Sequence, residues 1–254
     1  MIIVVYADDI LLMSNSTSQL EATIEGIQDR FRIQIQLLPT YFVGLEIDSS
    51  GPKLRLHQSR YIQRMAELLN FVPSSVSTPM EPGHKLEVSP VTNDDSEFRK
   101  YIGILLYINR YSRPDVSYAV NALSQHQGHV TPEIKTYAKR VFSYVLSSVD
   151  LALEYGADDD LTFRAFVDAS YMPDAYTSLE KLQIFPQNLQ DNSFPDAHSV
   201  SGYVMFHCGN PISWGTSKQK IVATSSTAAE IIAVCDHMDT FPPCAKRYLS
   251  IHIC

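Results

Sequence analysis

The sequence has no uninterrupted run of the ~20 apolar residues that a membrane-spanning helix needs, although 45% of its 254 residues are hydrophobic. Its apolar opening, MIIVVYADDILLM, has no basic start, no unbroken apolar stretch and no small-residue cleavage pattern, so it does not read as a secretion signal. These absences point to an intracellular chain, cytoplasmic or nuclear rather than secreted, with no membrane partner. Cysteines are few: Cys208, Cys235, Cys244 and Cys254 all lie in the last fifth, without a C-x-x-C pair. That argues against a zinc site and makes reduced thiols the default; His207 and His237 fall near them by random placement. Net positive charge is lacking too. The formal charge is −8, which works against nucleic-acid binding, whose affinity normally rests on phosphate contacts. Acids, however, are absent locally. From Lys53 to Met65 there is none, while Lys53, Arg55, Arg60 and Arg64 are basic. Lys53 and Arg55 share one strand face, and Arg60 and Arg64 are a helical turn apart. The stretch reads either as a solvated face or as a surface that tracks phosphates.

What is present suffices for one large or two modest domains with real cores. Two short buried strands around a tight turn are expected at the start, followed by Ser18-Gln-Leu-Glu21 as a capping box for a helix over about 18–31. Ile33, Ile35 and Leu37 alternate with glutamines and predict a strand. YFVGLEID and KLRLH, joined by SSGP, predict a hairpin, and Ser59 opens a helix carrying Ile62, Met65 and Leu69. Residues 72–96 are rich in Pro and Ser and form a connector. Three helices follow, in FRKYIGILLYINRY, from near Pro114, and from Thr131 as cap with Pro132 at the first helical position. LALEYG, LTFRAFVDA, SGYVMFHC and PISWG then read as successive strands, with a helix from near Thr227. Consecutive strands and then a helix suggest a second α+β domain. The segment SLEKLQIFPQNLQDNSFPDAH reads as a loop unusually long for a compact domain.

Two acid pairs could carry chemistry. Asp8 and Asp9 sit between apolar runs, and burying unpaired, mutually repelling carboxylates is costly. They suit either an ordinary hairpin turn or a hairpin tip beside Mg²⁺, a hard ion that prefers carboxylate oxygen and keeps waters for phosphate oxygens. Asp168 and Glu230 form the second pair. Asp168 is equally readable as a solubilising strand-end acid, and Thr227-x-x-Glu230 as a capping box.

With YADD, YFVGLEI, LHQSRYIQRMAELLNF, VSTPM, FRKYIGILLYINRYSRPDVSYAVNALSQH, VDAS, SVSGYV, PISWGTSKQK and ATSSTAAE in this order, the chain resembles the Pol polyprotein of copia-type LTR retrotransposons over nearly its full length. The resemblance implies an α+β protein. Residues 1–71 would be the C-terminal edge of a polymerase palm, a primer-grip hairpin and the start of a thumb. Residues 72–150 would be connector and helical thumb or connection, and 151–254 an incomplete ribonuclease H-like α/β domain with an inserted loop at about 175–198. It implies RNA-directed DNA synthesis at Asp8 and Asp9 and hybrid-strand RNA cleavage at Asp168 and Glu230, each with Mg²⁺. Nucleic-acid contacts would run through Tyr6, Gly44, Lys53, Arg55, Arg60 and Arg64. The partners would be primed template or an RNA–DNA hybrid, with other Pol-type chains possible. The departures matter as much. This sequence holds neither the palm's upstream Asp and fingers nor the nuclease Asp on the strand after the first helix, since Asp236 and Asp239 follow Glu230 too closely. Asp174 has no motif to assign it a role, and Ala228 replaces the family's first, non-catalytic Glu. The expectation is therefore a catalytically incomplete fragment, with a non-catalytic binding module or a non-functional relic as alternatives.

Overall fold

The helical core follows from apolar spacing. Three helices present Phe98, Tyr101, Ile102, Leu105 and Ile108 (α3, Ser96–Tyr111), Ala119, Val120 and Leu123 (α4, Ser117–Ser124), and Ile134, Ala138, Val141, Phe142 and Val145 (α5, Pro132–Ser147) on their buried sides. Ile62 and Ala66 of α2 (Ser59–Leu68) join the same core. A short 3₁₀ turn, Pro114–Val116, leads into α4. Thr131 caps α5 as expected, its side chain accepting from the Ile134 N–H at 3.1 Å, with Pro132 next. The computed structural model describes residues 1–81, 83, 84, 86, 95–157, 161–171, 198–241 and 249–253. Asp174, Cys244, Cys254 and all but the last residue of the loop expected at 175–198 lie outside these. No helix among the described residues is long and apolar enough to cross a membrane.

Among the described residues the strands make three sheets. β1 (Ile2–Tyr6) and β2 (Asp9–Met13) form an antiparallel ribbon by themselves. β3 (Tyr41–Phe42), β4 (Leu45–Asp48), β5 (Leu54–His57) and β6 (Leu153–Tyr155) form an antiparallel meander. The third sheet has the order β10-β7-β8-β9, from β7 (Phe163–Ser170), β8 (Val200–His207), β9 (Asn210–Lys218) and β10 (Leu249–Ile253). In it only β10 runs parallel to its neighbour β7. Helix α6 (Ser226–Met238) connects β9 to β10 and packs Ala229 and Ala233 against the sheet.

Several expectations are corrected. The opening strands exist, but every residue of β1 is exposed, and among the described residues no third strand joins the ribbon. The first helix, α1, is Thr17–Gln28, and its cap is Ser16 rather than Ser18, accepting from the Gln19 N–H. Residues 33–37 form no strand; Ile35 and Leu37 are exposed and no neighbour offers ladder bonds. YFVGLEID is not one strand. Val43 and Gly44, at φ +47° and +82°, turn it back on itself, and β4 then pairs with β5. Two successive residues with positive φ make the tight turn whose twist suits a hairpin. LALEYG does supply a strand, β6, and it pairs with β5 of the meander.

The helix expected near Thr227 begins one residue earlier. Its cap is Ser225, whose hydroxyl accepts from the Ala228 N–H at 3.1 Å. Glu230 therefore does not close a capping box with Thr227. The position that would do so is Ala228, where the resembled family carries Glu. Ala228→Glu is expected to stabilise the protein by roughly 0.5–1 kcal/mol, because a carboxylate there can reach back to the cap N–H and favours the helix N-terminus. Thermal unfolding at neutral pH reads this as a rise in Tm.

Candidate functional site

Tyr6 pairs with Asp9, leaving a two-residue loop of Ala7 and Asp8, with Ala7 at φ +51°. Asp8 thus occupies the tip and Asp9 the first residue of β2, and both are exposed. Two continuous apolar runs rich in β-branched residues make the ribbon, and the acids fall where the chain must turn. Tyr6 is 56% exposed beside them.

Gly44 sits in the β3–β4 turn against α3. A Cβ there would lie 1.6 Å from the Tyr107 hydroxyl oxygen, and that hydroxyl donates to the Val43 carbonyl at 3.3 Å. Close approach of backbone to α3, as well as positive φ, requires glycine here.

The basic cluster is free of acids in sequence but not in space. Lys53 Nζ lies 3.2 Å from Glu154 of β6. Arg55 lies 3.8 Å from Asp48 and 3.7 Å from Glu154, and donates to the Asp150 carbonyl at 3.0 Å. Arg60 Nε lies 3.1 Å from Glu46. Glu46 is a carboxylate that sequence reasoning missed. It is nearly buried on β4 and accepts from the Arg60 backbone N–H at 2.7 Å, serving the α2 N-terminus that Gln58 leaves without a side-chain cap. The signal was available in Leu45-Glu46-Ile47, an acid within an apolar strand. Arg64, exposed one turn on, has no ion-pair partner among the described residues, and the Arg60 side chain remains 80% exposed. Arg64 is thus the cation of the cluster with no ion pair among the described residues, and Arg60 the most exposed of the paired ones.

Asp168 lies near the end of β7, opposite Gly202 of β8, and is exposed. Its strand neighbour Ala165 and the partner Met205 belong to the apolar cluster that Phe241 and Met238 close. Alternation therefore turns Asp168 to the sheet face away from α6. Glu230 is on α6, half-buried, with its Oε2 buried and lacking a hydrogen-bond partner. β10 follows α6 in the chain and lies parallel beside β7, and Leu249–Ile253 contains no carboxylate. Among the described residues no three His, Cys, Asp or Glu side chains gather in a way that could hold a metal ion. Hard oxygen donors are present at Asp8, Asp9, Asp168 and Glu230, but not in the number and convergence that a pair of Mg²⁺ ions demands. The residues described do not fit such a centre.

No family model and no solved structure matches the chain. Among curated proteins, the retrovirus-related Pol polyproteins from transposons RE1 and RE2 of Arabidopsis thaliana are each 32% identical over 233 residues, 91% of this chain. The chain spans 14% and 15% of their lengths, respectively. An uncharacterized mitochondrial protein of the same plant is 28% identical over 237 residues, 92% of this chain and 90% of its own length. The chain is therefore similar to transposon Pol polyproteins along nine tenths of its length, as the motifs led one to expect.

Proposed function

We propose that this 254-residue chain is a retrotransposon-derived fragment of copia-type reverse transcriptase and ribonuclease H ancestry that does not turn over nucleic acid by itself. The observation that carries the reading is β10. It follows the helix bearing Glu230 and runs parallel beside the strand bearing Asp168, the place from which the resembled nuclease draws its next Asp, yet its described residues supply only Leu, Ser, Ile and His. A ribbon with Asp8 at its tip and Asp9 at the first residue of β2 supports the polymerase half of the ancestry. Mg²⁺ is the ancestral cofactor, and an intracellular site, cytoplasmic or nuclear, is where its primed templates and RNA–DNA hybrids are found.

The test is an assay of the purified chain with Mg²⁺ and with Mn²⁺, on primed template and on hybrid. No turnover above background is expected. Turnover that disappears in Asp8→Asn or Asp168→Asn protein would overturn the proposal.

Residual association with a hybrid would run through Arg60 and Arg64, since Lys53 and Arg55 are engaged by Glu154, Asp48 and the Asp150 carbonyl. Reversing both charges, Arg60→Glu with Arg64→Glu, is expected to weaken hybrid binding and to flatten its logarithmic salt dependence by about one to two units. Titrations at several salt concentrations measure both quantities, and an unchanged slope would reject this contact.

A further inference from the structure

Positions 1–41 contribute little to the interior. No described residue before Glu46 is buried, and nearly half of the large apolar side chains left exposed among the described residues lie in this stretch. Within it β1 is the extreme case. Each of its five residues is apolar or aromatic and between 38% and 63% exposed. The strand has β2 on one edge and, among the described residues, no strand on the other. Edge strands of soluble proteins are normally blunted by lysine, proline or a bulge. β1 has neither charge nor proline, and its register with β2 runs unbroken from Ile2–Met13 to Tyr6–Asp9. β2 differs, since it begins with Asp9, and Leu11 and Leu12 are partly covered. A two-stranded ribbon alone is marginal in water and gains from further strands.

Register fixes which peptide groups point outward. In a hairpin closed by a two-residue loop, the Tyr6–Asp9 pair exchanges both backbone hydrogen bonds. Bonded and non-bonded pairs alternate, so Ile2, Val4 and Tyr6 turn their N–H and C=O groups to β2, while Ile3 and Val5 turn theirs outward. We propose that this edge pairs with the same edge of a second copy, antiparallel, with Val4 on the two-fold axis. Ile3 then lies opposite Val5 of the other copy and Val5 opposite its Ile3, so the outward groups of both residues are paired in both molecules. Such a two-fold contact is self-complementary and closed. Charge selects the direction. Parallel pairing would gather Asp8 and Asp9 of both copies at one end. The antiparallel pair sets the two Asp8 residues roughly 25 Å apart at about 3.3 Å per residue, beyond the ~8–10 Å over which salt leaves charges in contact. No charged residue lies within the paired stretch itself. The second copy brings an edge of matching length that is equally bare, and each molecule thereby loses its own. A five-residue edge buries less than the ~1,200 Å² of a standard interface, so the dimer is a weak one, forming at about 10–100 µM protein. The inference goes beyond the preceding reading, because it uses neither carboxylate pair and no nucleic acid.

Sedimentation velocity of the full chain across about 1–300 µM at physiological salt should show a monomer passing to a dimer. Val4→Lys sets two ammonium groups face to face on the axis and should weaken the dimer by roughly tenfold or more. Its circular dichroism should be unchanged, since no β1 residue belongs to the helical core. Val4→Cys tests the register. Opposed residues of a non-hydrogen-bonded pair have Cα atoms about 4.5 Å apart, within reach of a disulfide. Mild oxidation should link Val4→Cys protein through position 4, identified by peptide mass, above the background set by the unmodified chain's own cysteines. Ile2→Cys and Tyr6→Cys proteins should each fail to link alone and should link when mixed, because position 2 lies opposite position 6. A monomer throughout, a dimer indifferent to Val4→Lys, or self-linkage of Ile2→Cys protein in preference to the mixed pair would overturn the proposal. Arg60→Glu with Arg64→Glu lies outside the ribbon and should dimerise like the unmodified chain, so the two readings fail separately.

Discussion

Arg113→Ala is expected to lose roughly 3–5 kcal/mol of stability, the scale set by stripping one partner from a buried ion pair. Arg113 is only 2% exposed, yet all its donors are used. Nε and Nη2 bond the two oxygens of Asp115 at 2.9 and 2.7 Å, Nη1 bonds the Ser148 and Val145 carbonyls at 3.0 and 3.4 Å, and Nη2 also bonds the Ser148 hydroxyl at 2.7 Å. The guanidinium lies 5.4 Å from the centre of the Tyr144 ring. It thereby holds the C-terminus of α5 to the turn that starts α4, at the end of a helix where cationic groups are favoured. Lysine cannot reproduce the two-pronged geometry, so Arg113→Lys should recover little. Denaturant titration measures both, and a loss below about 1 kcal/mol for the alanine variant would contradict the account. The same pair confers acid sensitivity. Burial pushes the Asp115 carboxyl up, but hydrogen bonding and the charge of Arg113 outweigh it and hold the group below its ordinary 3.8. A carboxylate lowered in the folded state contributes stability that is fully present above that ordinary value and is lost as pH falls through the lowered one. Stability should therefore drop below about pH 4, and this part of the drop should vanish in Asp115→Asn protein.

Gly44→Ala is expected to cost about 2–4 kcal/mol, the sum of left-handed backbone strain and overpacking. The backbone is at φ +82°, and the added methyl would overlap the Tyr107 hydroxyl. Tyr107 cannot simply withdraw. Its ring meets Tyr61 edge-on at 4.8 Å and Tyr111 at 5.0 Å. Combining Gly44→Ala with Tyr107→Phe removes the atom at 1.6 Å and should return most of the overpacking part, leaving about 1–2 kcal/mol of strain. A double-mutant cycle in urea checks this, and strictly additive losses would show that the two residues do not meet. The resemblance implies a nucleic-acid contact at Gly44; the packing gives the glycine a structural reason independent of any ligand.

How much of this was legible beforehand depended on whether the deciding contacts were local. Helices α3 and α5 and the cap at Thr131 could be read directly, because apolar spacing, Ser/Thr caps and an N-terminal proline act within one turn. The ribbon at residues 2–13 was legible too, since a two-residue loop and β-branched flanks suffice. What could not be read was partnership. Residues 33–37 have a strand's alternation, but a strand exists only against a neighbour. LALEYG looks like any strand, and its pairing with β5 across about a hundred residues is written in no local pattern. The basic cluster misled for the same reason: Glu154 and Asp150 lie far along the chain from Lys53 and Arg55, and only folding brings them together. The carboxylate pairs were expectations drawn from motifs, and whether carboxylates converge is a property of three dimensions: among the described residues no three His, Cys, Asp or Glu side chains gather to hold a metal ion.

The ribbon at the start of the chain has a consequence for handling and for life in a cell. Ile2-Ile3-Val4-Val5-Tyr6 is uncharged, free of proline, exposed along its length and, among the described residues, paired on one edge only. Its outer row of peptide groups can accept any other extended segment, including the same segment from another molecule. Colloidal behaviour will then be governed by these five residues rather than by the overall negative charge, and precipitation should rise steeply with concentration even far from the isoelectric point. A lysine at Val4 would be the smallest change that makes the protein tractable at the concentrations that NMR requires.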